Sequence, residues 1–188
     1  MEETDTLMIG AGPFGLAVAA EAKRFGLGIT VVGEPMAFWK HNMPNRMLLR
    51  SGREWHLDAA DVHTFEAFLE EKMIPRGTAE PIPVEIYRDY VEWFRQSKKI
   101  EVWPLRVERL RCKDGAFEAE CEDGETICAR RVVATPGLKP FVNEPTEFAS
   151  CVLRDRISHT SHLVDFQPLA GKRCLIIGGR QSAFEWAA

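Results

Sequence analysis

The chain has 188 residues, a net charge of −4, 45% apolar and 28% charged residues, a balance that describes a folded globular protein and excludes disordered and fibrous classes. No basic stripe stands out, so nucleic acid is not expected as a partner, and the apolar runs are too short and broken to span a membrane. The acidic start Met1-Glu2-Glu3-Thr4-Asp5 is unlike a secretory signal, and five cysteines with no CxxC pair point to a reducing, cytoplasmic setting.

The first predicted element is an apolar strand, Leu7-Met8-Ile9, running straight into Gly10, Gly12 and Gly15. A helix over Pro13 to Phe25 follows, rich in alanine and stopped by Gly26. A second strand, Ile29 to Val32, ends just before Glu34, nineteen residues after Gly15. This order suits a dinucleotide. Gly10 allows the tight turn, Gly12 lets a pyrophosphate approach the backbone, and Gly15 lets the helix pack on the strand. The helix N-terminus supplies N–H groups, and Glu34 is placed to accept from ribose hydroxyls.

Residues 35–51 mix prolines, aromatics, methionines and basic residues without a regular period and read as a loop-rich lining segment. Thr64 or Asp61 caps a predicted helix carrying Phe65, Phe68, Leu69 and Met73, ended by Pro75-Arg76-Gly77. Pro81 and Pro83 open another, with Ile86, Tyr90, Val91 and Phe94 as its apolar stripe. Ile100 to Trp103 reads as a short strand. A meander follows over Val107–Cys112, Phe117–Cys121 and Thr126–Thr135, with hairpin turns at Asp114-Gly115 and Asp123-Gly124. Cys121 and Cys128 fall on neighbouring strands of it, and the cysteines read as buried thiols in a sheet. The apolar end of the last strand suggests a buried parallel sheet. Pro136, Pro140 and Pro145 mark a boundary near residue 140.

After Gly171-Lys172-Arg173, the run Cys174 to Ile177 reads as a strand and Gly178 to Ala183 as a second glycine turn opening a helix. A βαβ unit takes roughly 30 residues or more, so this second unit is expected to be incomplete, the chain reading as the N-terminal part of a longer protein. No histidine pair has HxxxH or HExxH spacing, and no metal site is expected. Asp58 and Asp61, near His56 and His63, read as helix-start and surface residues. Arg50 and Arg53 read either as steering groups for anions or as a solvated face.

The ordered set of motifs resembles the flavoproteins with two dinucleotide-binding domains, and most of all their flavin-containing monooxygenase and N-hydroxylase branch. The resemblance implies an α/β, Rossmann-like FAD-binding domain (parallel sheet, βαβ unit and β-meander) over residues 1–140. A linker and the start of a truncated NAD(P)-binding Rossmann unit would occupy residues 141–188. It implies FAD at the first motif, with Gly10, Gly12, Pro13, Phe14 and Gly15 around the pyrophosphate and Glu34 on the adenosine ribose. Trp39 would border the cofactor, Met47, Leu48 and Arg50 would lie near the flavin or its ribitol, and the Val107 backbone would meet the adenine. Ala134, Thr135 and Gly137 resemble a turn that closes over FAD.

Three positions depart from the family pattern. Pro136 stands directly after Thr135, Arg180 replaces a glycine of the second motif, and the monooxygenase fingerprint survives only as His162 to Phe166. The absent cysteine pair argues against the disulfide-reductase cousins. The implied activity is an NADPH- or NADH-dependent, oxygen-using oxidoreductase acting on a small-molecule substrate, with a homodimer as the expected assembly. Three alternatives stay open: a non-catalytic nucleotide-binding fragment or remnant, an FAD/NAD(P) oxidoreductase that is not a monooxygenase, and an enzyme whose first motif holds NAD in place of FAD. No residue offers itself as a general base, since in flavin chemistry the cofactor carries the reaction.

Overall fold

A central parallel strand organises the computed structural model, which describes residues 2–145, 147 and 156–187. This strand, β1 (Glu2–Ile9), leads into helix α1 (Pro13–Arg24) and returns to the sheet as β2 (Ile29–Val32). Alanines and the closely packed Gly15 make α1 slim enough to lie on the sheet, with Leu16, Ala19 and Ala20 buried. Phe25 closes the helix and Gly26 leaves it at φ +71, a left-handed stop that glycine adopts without steric cost. β1 pairs parallel with β2 on one side and with β8 (Thr126–Ala134) on the other. The short β5 (Val102–Trp103) extends the parallel set beyond β2.

The meander completes the sheet. β6 (Val107–Lys113), β7 (Ala116–Cys121) and β8 pair antiparallel in sequence, giving the order β5-β2-β1-β8-β7-β6. Asp114 and Gly115 both take positive φ, 51 and 81, the primed-turn geometry that an Asp-Gly pair permits. At the second turn the Gly124 amide donates to the Cys121 carbonyl at 3.0 Å and the Asp123 carboxylate accepts from the Glu125 amide at 3.0 Å.

Strand alternation divides the core in two. Met8 and Val31 face a large cluster with Leu16, Phe65, Phe68, Leu69, Tyr90, Val91 and Phe94 from α1, α3 (Phe65–Glu71) and α4 (Val84–Ser97). Leu7 and Val32 point the other way, onto Ala119, Cys121, Ile127 and Ala129 of the meander. Thr64 caps α3, its hydroxyl accepting from the Ala67 amide at 3.1 Å.

Several expectations need correction. The segment after Glu34 is not only loop: Ala37–His41 form α2, and Leu48–Leu49 form β3, paired antiparallel with β4 (Ile82–Pro83). The predicted strand at Cys174 to Ile177 does not form, although the helix after it does, as α5 (Gln181–Ala187). Leu175 there is 85% exposed, because a strand exists only where its backbone groups meet a partner, and none of the described residues supplies one. The cysteines are not uniformly buried: Cys121 is buried, whereas Cys112 and Cys174 are exposed. Cys151 lies outside the described residues.

Asp58 is the largest correction. It is 1% exposed and tied on every side. Its carboxylate accepts from Lys98 Nζ at 2.7 Å, from the His63 amide at 2.7 Å and from the Ala60 amide at 3.2 Å. Burial alone would push this carboxyl up, but the Lys98 ammonium and those amides outweigh it and hold it well below the usual carboxylate range. Tyr90, fully buried beside this hub, accepts from the Leu57 amide at 2.9 Å and donates to the His63 carbonyl at 3.1 Å. Asp61 does lie at the surface, paired with His56 at 3.1 Å.

Candidate functional site

Register alone gathers the first motif. Ile9 pairs with Val32 of β2 and with Ala134 of β8, so the three strands end side by side. The residues that leave them, Gly10, Gly33-Glu34 and Thr135, therefore meet at one edge, the carboxyl end of a parallel sheet where open α/β folds bind ligands. The Gly10 amide donates to the Val32 carbonyl at 2.9 Å, the Gly33 amide to the Trp103 carbonyl at 2.9 Å, and the Met36 amide to the Ala11 carbonyl at 3.1 Å.

The three motif glycines have separate reasons to be glycine. Gly10 sits at φ +109, and a Cβ there would lie 2.2 Å from the Thr135 carbonyl oxygen. At Gly15 a Cβ would lie 2.0 Å from the Gly10 carbonyl oxygen. Both are closed by protein. At Gly12 a Cβ would meet nothing within 4 Å, so the chain leaves open space there. Gly12 is also the N-cap of α1, with Pro13 at its first helical position and no side chain capping the helix end. Free N–H groups, the positive end of the helix dipole and an open approach thus coincide. Phe14, the next residue, is 81% exposed. These residues fit the pyrophosphate of a dinucleotide.

Thr135 fastens the turn from behind. Its amide donates to the Ile9 carbonyl at 2.8 Å, and its hydroxyl lies 3.1 Å from that same oxygen and 3.2 Å from the Gly10 carbonyl oxygen. Thr135→Val keeps the shape and the amide bond but removes the hydroxyl donor. It is expected to cost about 1 kcal/mol, which in a chain of this size lowers Tm by about 2–4 °C, readable by thermal melting. Ala134 beside it is exposed, and Gly137 turns the chain away at φ +72.

Glu34 is half-exposed at the end of β2, and one of its oxygens is bonded to His41 Nε2 at 2.7 Å. His41 was not among the predicted site residues. Spacing gives no sign of it, because the pair is joined through the turn into α2 and follows no regular period. The remaining expected residues are more dispersed. Trp39 lies on α2 against Tyr87 of α4, ring centroids 4.9 Å apart, and burial pushes the Tyr87 phenol up to about 12. The Met47 carbonyl accepts from the Val84 amide at 2.8 Å. Leu48 is exposed on β3. Val107 begins β6 and, like Ile9 and Trp103, packs against the cluster that holds Leu7 and Val32.

The two arginines are both engaged. Arg53 bridges Glu66 at 2.9 Å and Glu80 at 3.0 Å, so it is neither a solvated residue nor a free anion site. Arg50 pairs with Glu185 of α5 at 3.1 Å. A second tie, from Asn42 Nδ2 to the Ser161 carbonyl at 2.7 Å, also connects the first motif's surroundings to residues beyond 156. Within that later segment Trp186 Nε1 donates to the Leu163 carbonyl at 2.8 Å, and the Trp186 ring meets Phe166 edge-on at 6.4 Å. His162 lies 3.4 Å from Glu144.

The family model for pyridine nucleotide-disulphide oxidoreductases matches residues 7–188. A ferredoxin–NADP reductase of Salinispora arenicola (strain CNS-205) is 29% identical over 195 aligned residues, covering 100% of this chain and 51% of the relative. An FAD-dependent urate hydroxylase of Xanthomonas campestris pv. campestris is 28% identical over 129 residues, 65% of this chain and 27% of the relative. The chain spans about half the length of that reductase and less of the hydroxylase. In fold, it is similar to a flavin-containing monooxygenase from Stenotrophomonas maltophilia, with a TM-score of 0.69 at 21% identity, covering 91% of this chain and 49% of the other.

Proposed function

Because the chain belongs to the pyridine nucleotide-disulphide oxidoreductase family, we propose that it forms the FAD-holding part of an NAD(P)H- and oxygen-dependent monooxygenase acting on a small organic substrate. FAD and a nicotinamide donor are the cofactors of this assignment. The observation that carries the reading is the asymmetry of the glycines: Gly10 and Gly15 are closed by protein, while Gly12 opens outward at the uncapped start of α1.

When bound, the flavin supplies the hydride acceptance and oxygen activation that no side chain here provides. The chain's own residues bind and orient. Gly10 makes the turn, Thr135 fixes it, the first N–H groups of α1 meet the pyrophosphate, and Glu34 takes the ribose hydroxyls. The likeness in sequence to an FAD-dependent hydroxylase and the lack of a CxxC pair support a monooxygenase over a disulfide reductase. The end-to-end match to a ferredoxin–NADP reductase favours a second reading, in which electrons leave the flavin singly for a protein acceptor. Residues 1–140 then form the FAD domain and 141–188 the linker and the first part of the nicotinamide unit.

An oxygen electrode separates these readings in the FAD-loaded whole protein to which this chain contributes the FAD-holding part. The monooxygenase reading predicts NAD(P)H oxidation with matching oxygen uptake that rises with substrate. Fast reduction of ferredoxin with little oxygen uptake would establish the second reading instead. No NAD(P)H oxidation by that whole protein under either condition would leave a nucleotide-binding remnant.

A further inference from the structure

We infer that His41 is a positioning residue for the adenosine end of the cofactor, holding the Glu34 carboxylate in its ribose-accepting orientation. This inference rests on the reading of Gly10 to Glu34 as an FAD cradle. Glu34 leaves β2 at a point fixed by the Gly33 amide bond to Trp103, but its side chain is half-exposed and would rotate freely without a partner. His41 supplies one. It sits in the last turn of the five-residue α2, whose start is pinned to the motif by the Met36 amide bond to the Ala11 carbonyl. The Nε2–Oε1 contact of 2.7 Å is therefore between two side chains whose backbones are tied to the same glycine turn.

A neutral imidazole donates one N–H to Oε1, which leaves Oε2 and the remaining lone pair of Oε1 for the two ribose hydroxyls.

Other titratable groups lie nearby. Lys40 shares α2 and lines a groove with Pro35, Met36 and, from α4, Glu85, Arg88, Asp89 and Glu92. The segment tied to Asn42 brings His159, whose Nδ1 is 2.8 Å from the Ser161 hydroxyl, and His162, paired with Glu144. Of the described histidines, His41 is the one bonded to Glu34.

The test is FAD titration of the purified protein, read by quenching of flavin fluorescence, for the wild type, His41→Gln and His41→Ala. His41→Gln keeps a neutral donor and is expected to hold the wild-type Kd. His41→Ala is expected to raise Kd about two- to fivefold, the size of an exposed polar contact. A His41→Ala Kd equal to that of the wild type, or a His41→Gln Kd raised as much as that of His41→Ala, would overturn the role of His41. Loss of FAD binding by the wild type would overturn the cradle reading itself, and this inference with it.

Discussion

Gly12→Ala is expected to leave the fold standing and to weaken FAD binding roughly a hundredfold, the effect of a methyl group placed where a ligand must make contact. The added Cβ meets no protein atom within 4 Å, and the backbone at φ −79 and ψ −176 accepts any residue. Its stability cost is that of a poorer N-cap, under about 1 kcal/mol. Gly10→Ala and Gly15→Ala behave differently. Their Cβ atoms would collide with the Thr135 and Gly10 carbonyls at 2.2 and 2.0 Å, and Gly10 is also in a region of φ that alanine resists. Each is expected to cost about 3 kcal/mol of stability, so cofactor loss there follows from a damaged fold. Denaturant midpoints measured beside FAD affinity separate the two classes.

Asp58→Asn carries the second large effect, and this time on stability. Removing one side of a buried charge pair leaves Lys98 without its counter-ion and costs about 3–5 kcal/mol. Lys98 Nζ is 2.7 Å from the carboxylate, with the two side chains 18% and 0% exposed. The pairing also sets a pH dependence. The folded carboxyl titrates below its unfolded value of about 3.9, so its contribution is complete at neutral pH. It declines as pH falls through about 4 and onward toward the depressed folded value. The stability gap between wild type and Asp58→Asn is therefore expected to be widest at pH 7 and to narrow by about 1–2 kcal/mol at pH 3. Urea unfolding at the two pH values measures it; a gap unchanged with pH would show that the Asp58 carboxyl titrates alike in the folded and unfolded states, and so gains nothing from Lys98. Placing Asp58→Asn in a Lys98→Met background should recover part of the loss, since the unpaired ammonium is then gone.

What could be read from the residues followed from strong local signals. Gly10 to Glu34 announces its own strand, turn, helix and strand. The Asp-Gly pairs announce the meander, and Phe65, Phe68 and Leu69 announce α3 with Thr64 before it. The features that were not legible depend on distant partners. Ala37–His41 is too short for helical periodicity to show, and it forms on the Met36–Ala11 bond. Leu48 and Leu49 become a strand only because Ile82 and Pro83 arrive beside them. Asp58 looks like a helix-start or surface residue until Lys98, forty positions later, reaches it. Cys174 to Ile177 shows the converse: its apolar pattern is right for a strand, but pattern alone cannot supply a neighbouring ladder. Of the expected site residues, Gly10, Gly12, Gly15 and Thr135 lie together at one sheet edge, and Arg50 pairs with Glu185 of α5.

FAD retention decides the central claim, that an intact first motif holds this cofactor through the open face at Gly12. Wild type and Gly12→Ala would each be incubated with FAD, desalted, and compared by visible spectrum. A yellow wild type and a colourless Gly12→Ala protein are expected, with the same melting temperature to within a few degrees. A wild type that keeps no flavin, or a Gly12→Ala protein that keeps as much as the wild type, would contradict it.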